Sequence, residues 1–167
     1  MDASAFLGLV ATCAPAVHVD TARALVQVES AFNPWALGVV GGRLLRQPKT
    51  RAEAIVTARA LRAAGWNFSL GLGQINVRNL ARLGLSLESA LDPCRNLQAM
   101  QSVLSKCFDQ ARAIAPHSPS QQVLRRALSC YYSGNFDTGF RHGYVGKVVV
   151  AARSGTSPST VFTQEKS

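Results

Sequence analysis

From Asn96 to Ala115 the chain carries one unbroken helical pattern, with Leu97, Met100, Val103, Leu104, Cys107, Phe108 and Ala111 on a single face. A stripe of that length has to be covered by other elements. Asp92-Pro93-Cys94 reads as a turn before it, and Pro116 and Pro119 break it. Strand-like alternation is scarce, so the fold class expected is α+β and predominantly α. At 167 residues the chain suits one domain able to bury roughly two thirds of its unfolded surface.

A second helical pattern departs from its own rule. Ala22, Leu25 and Val26 fall at i, i+3 and i+4 of an apolar face, and the next position of that face is Glu29. Asp20 suits an N-cap, and Pro34 disfavours helix at Asn33, so the helix is expected to end between Ala31 and Asn33. Glu29 then lies in the last turn, where unpaired carbonyls and partial burial both raise a carboxyl pKa, as a general acid near neutral pH requires. The alternatives left open are an ion pair with Arg23 or another cation, and a rotated helix that leaves Glu29 in solvent.

The rest of the chain reads as short pieces. Residues 3 to 14 suit a first helix ended by Pro15. Residues 36 to 45, with Gly41-Gly42 between apolar runs, suggest a loop or small hairpin and hold the little β structure expected. Thr50 and Glu53 form a Thr-x-x-Glu capping box for a helix running to Gly65. Gly71 and Gly73 allow a close backbone approach just before two amides, Gln74 and Asn76, suited to an uncharged polar ligand. A brief helix ends at Gly84, and Ser86 with Glu88 starts another. Residues 120 to 130 suit a helix, with Tyr131-Tyr132-Ser133-Gly134-Asn135-Phe136 as an aromatic turn after it. Residues 143 to 153 suit a last helix. The domain division expected is 1 to 153 as the folded domain and 154 to 167, rich in Ser and Thr, as a disordered tail.

The formal net charge of +9 favours polyanions, among them the acidic bacterial cell wall. The basic residues are dispersed and no nucleic-acid motif organises them, so nucleic-acid binding is not expected. The four cysteines, Cys13, Cys94, Cys107 and Cys130, lack zinc-site spacing; three disulfide pairings are open to them, or four buried thiols. No metal or cofactor is expected. Phe6 to Ala11 is apolar but too short to span a membrane, and Asp2 stands where a signal peptide carries Lys or Arg. An export signal removed beforehand, or another route of release, is expected.

Conventional glycosidases need two carboxylates. Besides Glu29 the acids are Asp2, Asp20, Glu53, Glu88, Asp92, Asp109, Asp137 and Glu165, and none is a compelling second catalytic group. No Ser-His-Asp or Cys-His set is legible, and His18, His117 and His142 read as surface or packing residues. What remains is one enclosed acid among amides and phenols, which suits acid/base chemistry on a sugar.

At this point four motifs stand in order: Glu29-Ser30-x-Phe32-Asn33-Pro34, Gly71-Leu72-Gly73-Gln74-Ile75-Asn76, Asp92-Pro93-Cys94-x-Asn96-Leu97 and Tyr131-Tyr132-Ser133-Gly134-Asn135. Over residues 13 to 150 they resemble the soluble-type lytic transglycosylases, and within them the branch that accompanies type IV secretion systems. The resemblance implies a lysozyme-like fold with two lobes, a small β element and a substrate cleft. It implies cleavage of the β-1,4 bond between N-acetylmuramic acid and N-acetylglucosamine in peptidoglycan, leaving a 1,6-anhydro end. One glutamate serves as acid and then base there, so no second carboxylate is needed.

Carried over by motif, Glu29 is the acid/base, with Ser30, Gln74, Asn76, Tyr131 and Tyr144 as substrate-side residues, Tyr144 resembling a late tyrosine that hydrogen-bonds the glutamate. Asn96 and Tyr132 are structural or substrate residues. The branch implies Cys13 with Cys94, leaving Cys107 with Cys130. It also implies a periplasmic location, peptidoglycan glycan strands and secretion-system periplasmic components as partners, and a monomer. Two departures stand out. The family has Met at the position of Gly73, which is expected to alter sugar packing and loosen the loop, and Asn at that of Tyr132. A goose-type hydrolytic muramidase and a non-catalytic wall-binding component are the alternatives.

Overall fold

The computed structural model of the protein describes Met1 and residues 3 to 154. Helix α1 (Ala3–Cys13) is followed by α2 (Val19–Ser30), β1 (Leu37–Val39), α3 (Arg51–Ala63), β2 (Phe68–Leu70), β3 (Ile75–Asn76), a 3-10 turn (Val77–Asn79) and α4 (Leu87–Ala90). The chain then forms α5 (Pro93–Ile114), α6 (Ser120–Ser133), α7 (Thr138–Arg141) and α8 (Tyr144–Ser154). The tail expected over 154 to 167 lies outside the described residues apart from Ser154, which closes α8.

The α5 stripe is the spine. Leu97, Met100, Leu104, Cys107 and Ala111 are all buried along it, with α6 packed on one side and α1 on another. Asp92 caps its first turn by accepting from the Arg95 amide at 2.9 Å, and Pro93 occupies a position where its missing N–H costs nothing. Two disulfides brace this spine: Cys13–Cys94 joins α1 to the head of α5, and Cys107–Cys130 joins α5 to α6.

The small sheet differs from the expected hairpin. β1 pairs with β2, antiparallel, with Leu37 opposite Leu70 and Val39 opposite Phe68, and β2 pairs with β3. The partner of β1 thus lies beyond α3, not across Gly41-Gly42. Residues 43 to 45 form no strand beside β1: Leu44 packs against the core while Leu45 is fully exposed at 107%, and the Leu37 amide and carbonyl are taken by the Gln47 side chain at 2.9 Å each, while the Val40 amide continues the β1–β2 ladder by donating to the Asn67 carbonyl at 2.9 Å.

Several helix ends also differ. His18, not Asp20, is the N-cap of α2, its Nδ1 accepting from the Asp20 amide at 3.3 Å. Thr50 caps α3 as expected, but Glu53 reaches the Lys49 amide at 2.8 Å and Arg46 rather than closing the box on Thr50. Ser86 caps α4 with Ser89, not Glu88, as its reciprocal partner. Tyr131 and Tyr132 belong to the last turn of α6, which runs on to Gly134 in the left-handed conformation. That extra turn points both phenols at the site.

Candidate active site

Glu29 sits in the last turn of α2, and the helix stops abruptly behind it. Ala31 and Phe32 both take positive φ, 49° and 61°, an unusual conformation for two successive side-chain-bearing residues. The bend is held by neighbours. The Asn33 amide donates to the Ser30 carbonyl at 2.9 Å, Asn33 Oδ1 accepts from the Trp35 amide at 3.0 Å, and the Phe32 ring packs edge-on against buried Phe6 at 5.1 Å. The turn separates the acid-bearing helix from β1, and the cleft opens between them.

That cleft, of about 320 Å³, is lined by Glu29 and Tyr131 with Tyr132 on the helical side, and opposite by Ser69 and Asn76 of the sheet and Gln74 of the turn before β3. Glu29 is the one carboxylate among the described residues lining it. A larger hollow of about 760 Å³ lies elsewhere, beside α3 and the 43 to 48 loop, where its acid, Glu53, is already paired with Arg46. None of the remaining described acids lines the cleft: Glu88 pairs with Arg59, Asp92 caps α5, Asp20 lies beside His18, Asp109 borders a separate hollow with Phe108 and Leu124 and Asp137 stands just before α7.

Burial pushes the Glu29 carboxyl up to about 7, against the opposing effect of its hydrogen bond from Tyr144. The Tyr144 hydroxyl donates to Glu29 Oε1, leaving Oε2 to carry the acidic proton. Among the described residues no cation offsets this burial: Arg23 spends its guanidinium on the carbonyls of Ala151 and Ala152 at the end of α8, at 3.3 and 3.1 Å. The ion pair left open by the sequence is therefore not made. Burial, with Glu29 beside them, also raises the phenols of Tyr131 and Tyr144, so both remain neutral donors.

The amide loop is built on Asn96. This side chain, 1% exposed, donates to the Leu70 and Ala90 carbonyls at 2.9 and 2.7 Å and accepts from the Gly73 amide at 2.7 Å. It is a buried tie, out of reach of a ligand. The Gly73 carbonyl in turn accepts from the Tyr131 hydroxyl at 2.5 Å. The close approaches that Gly71 and Gly73 permit are therefore to the protein itself. A Cβ at Gly71, where φ is +80°, would stand 2.1 Å from Asn96 Nδ2, and one at Gly73 would meet the Tyr131 hydroxyl at 2.9 Å and Met100 at 3.0 Å. The loop at Gly73 is pinned on both sides of its peptide, contrary to the looser loop expected of a glycine.

Gln74, at φ 48°, donates from Nε2 to the carbonyls of Ala36 and Gly71 at 3.1 and 3.0 Å, and so stitches the loop to the approach to β1. Asn76 Nδ2 donates to Asn67 Oδ1 and Ser69 Oγ at 2.9 and 3.3 Å. Both still line the cleft. Ser30 does not; its hydroxyl turns back to the Val26 carbonyl at 3.1 Å. Tyr132 lines the cleft and stacks on Tyr144, with centroids 4.5 Å apart. Val39, Asn79 and Val103 also line it, and nothing in the local sequence pattern marks them, since each is brought there by tertiary packing. Among the described residues no three His, Cys, Asp or Glu side chains are grouped to hold a metal, and no helix is long and apolar enough to cross a membrane.

The chain is 49% identical over 161 residues to a type IV secretion system protein virB1 of Brucella suis biovar 1, covering 93% of this chain and 67% of that protein. It is 40% identical over 144 residues to a protein virB1 of Rhizobium radiobacter, covering 85% of this chain and 58% of that one. A protein virB1 of Agrobacterium fabrum is 37% identical over 150 residues, with 89% and 59% covered. No solved structure matches at the same stringency. The family described as transglycosylase SLT domain matches residues 7 to 148. Because that span takes in Glu29, the Asn96-tied loop and both cleft tyrosines of α6, the site lies wholly within it, and the chain belongs to the transglycosylase SLT domain family.

Proposed function

We propose that this chain is a lytic transglycosylase that cleaves the β-1,4 bond between N-acetylmuramic acid and N-acetylglucosamine, with Glu29 as both acid and base. The observation that carries the reading is a cleft whose lining holds one carboxylate, raised to about 7, with only uncharged residues around it. A hydrolase with two carboxylates places its second group in the same cleft.

In the first step the proton on Glu29 passes to the glycosidic oxygen as its bond to C1 of the muramic sugar breaks. Glu29, now ionised, takes the proton from the C6 hydroxyl as that oxygen bonds to C1. The 1,6-anhydro ring closes, the acid is restored and no water is consumed. Tyr144 steadies the carboxylate between the two transfers by its hydrogen bond to Oε1. Tyr131, Gln74 and Asn76 border the glycan, and Ser30 stiffens the turn behind the acid.

The enzyme acts as a monomer on peptidoglycan in the periplasm, opening the wall locally for a type IV secretion apparatus and its periplasmic components. The name of the Brucella suis relative supports the secretion role, the two disulfides support an oxidising compartment, and the charge of +9 suits an acidic wall. Digestion of purified peptidoglycan by wild type and Glu29→Gln tests the reading: anhydro-ended fragments from the first and none from the second are expected. Wall degradation unchanged by Glu29→Gln would exclude Glu29 as the acid, and a Glu29→Gln protein that still supported full secretion would favour a wall-binding assembly component.

A further inference from the structure

We propose that Tyr132 is a positioning residue for the acid, propping the Tyr144 ring so that its phenol stays on Glu29, and that His142 holds Tyr132 in place. The inference rests on the function proposed above. Tyr132 is one of the two positions at which this chain departs from the resembling family's pattern, and it lies in the last turn of α6, ahead of α7 and α8. Its ring lies nearly parallel to that of Tyr144, 4.5 Å between centroids and 19° between planes. Its hydroxyl is 3.2 Å from His142 Nδ1, and the His142 ring meets it edge-on at 5.9 Å and 80°.

The chain of contacts therefore runs from His142, in the turn before α8, through Tyr132 on α6, back to Tyr144 at the start of α8, and on to Glu29 of α2. A phenol attached to the first residue of a helix has two rotatable bonds with which to leave its acceptor. Tyr144 is buried and does not line the cleft, whereas the ring stacked on it, that of Tyr132, is 45% exposed and forms part of the cleft wall. An aromatic prop restricts that motion where a short amide would not. The competing use of the same ring is as a platform for a sugar.

Steady-state cleavage of soluble glycan strands separates the two, using Tyr132→Asn, His142→Ala and Tyr144→Phe, and the first two each combined with Tyr144→Phe. If Tyr132 acts through Tyr144, Tyr132→Asn lowers kcat about tenfold with KM within about twofold, His142→Ala lowers it less, and neither adds a loss in the Tyr144→Phe background. Tyr132→Phe, which keeps the ring, restores most of the kcat lost in Tyr132→Asn. Losses that multiply with Tyr144→Phe, or a raised KM in Tyr132→Asn, overturn the proposal and make Tyr132 a glycan contact. Melting temperatures identify any variant that fails to fold, and His142→Ala, on an exposed side chain, then carries the test alone. Glu29→Gln is assayed alongside: if it remains active the acid assignment fails, whatever the Tyr132 variants do.

Discussion

The Tyr144 hydroxyl donates to Glu29 Oε1 across 115 residues of chain, tying the first turn of α8 to the last turn of α2. This bond favours the ionised carboxylate, and burial opposes it more strongly. Tyr144→Phe removes the favourable contact and leaves burial acting alone, so the Glu29 pKa rises further. Because the first step needs the protonated acid, kcat/KM falls as pH rises through that pKa. The alkaline fall of kcat/KM should shift to higher pH in Tyr144→Phe, with a maximal rate about tenfold lower. A pH–rate profile of the two proteins checks this.

Glu29 should cost the fold stability where it serves catalysis. Its folded pKa, about 7, lies above the ordinary 4.5, so the folded state binds the proton more tightly than the unfolded chain. Stability is fully present below pH 4.5 and is lost as pH rises towards 7, by at most about 3 kcal/mol. Glu29→Gln cannot ionise, and is expected to melt higher than wild type at pH 8 and at a similar temperature near pH 4. Its activity should fall about a hundredfold to ten-thousandfold at every pH. Thermal melts at the two pH values give the first result and product release gives the second.

Asn96→Ala should fail by a different route. Three buried hydrogen bonds are lost and the Gly73 amide and two carbonyls lose their partner. A loss of about 3 kcal/mol, or about 6 to 12 °C in Tm, is expected. The amide loop loosens with it, so activity should decline at temperatures well below the melt. Differential scanning calorimetry with parallel assays checks the order of the two events.

The disulfides should differ in what they protect. Cys13–Cys94 spans 81 residues and Cys107–Cys130 spans 23, so in the chain-entropy account the first constrains the unfolded chain more. Replacing Cys13 and Cys94 by Ser should cost about 4 kcal/mol, and replacing the shorter pair about 3 kcal/mol. Denaturant unfolding of the two double variants measures both losses.

The long helices were legible because each answers to one face. The α5 stripe and its Asp92-Pro93 start could be read directly, as could the odd carboxylate at Glu29. The sheet was not, because strands of three residues or fewer hold too little pattern and the partner of β1 lies beyond α3. The end of α2 was legible from Pro34, but its bend was not: Ala31 and Phe32 carry no turn signature, and their left-handed conformation depends on Phe6 and Asn33. The amides Gln74 and Asn76 were expected at the site and line the cleft, but their internal bonds depend on groups brought close only by the fold. His142 gave no signal, since its partner Tyr132 is reached only by the fold of α7 back beside α6.

The central claim, one carboxylate acting as acid and then base on the substrate's own hydroxyl, is tested most directly by mass spectrometry of fragments from purified peptidoglycan. Wild type is expected to release muropeptides ending in 1,6-anhydromuramic acid, each lighter by one water than its hydrolytic counterpart, and Glu29→Gln to release neither. Fragments carrying only reducing muramic ends, with the mass of water added, would contradict it.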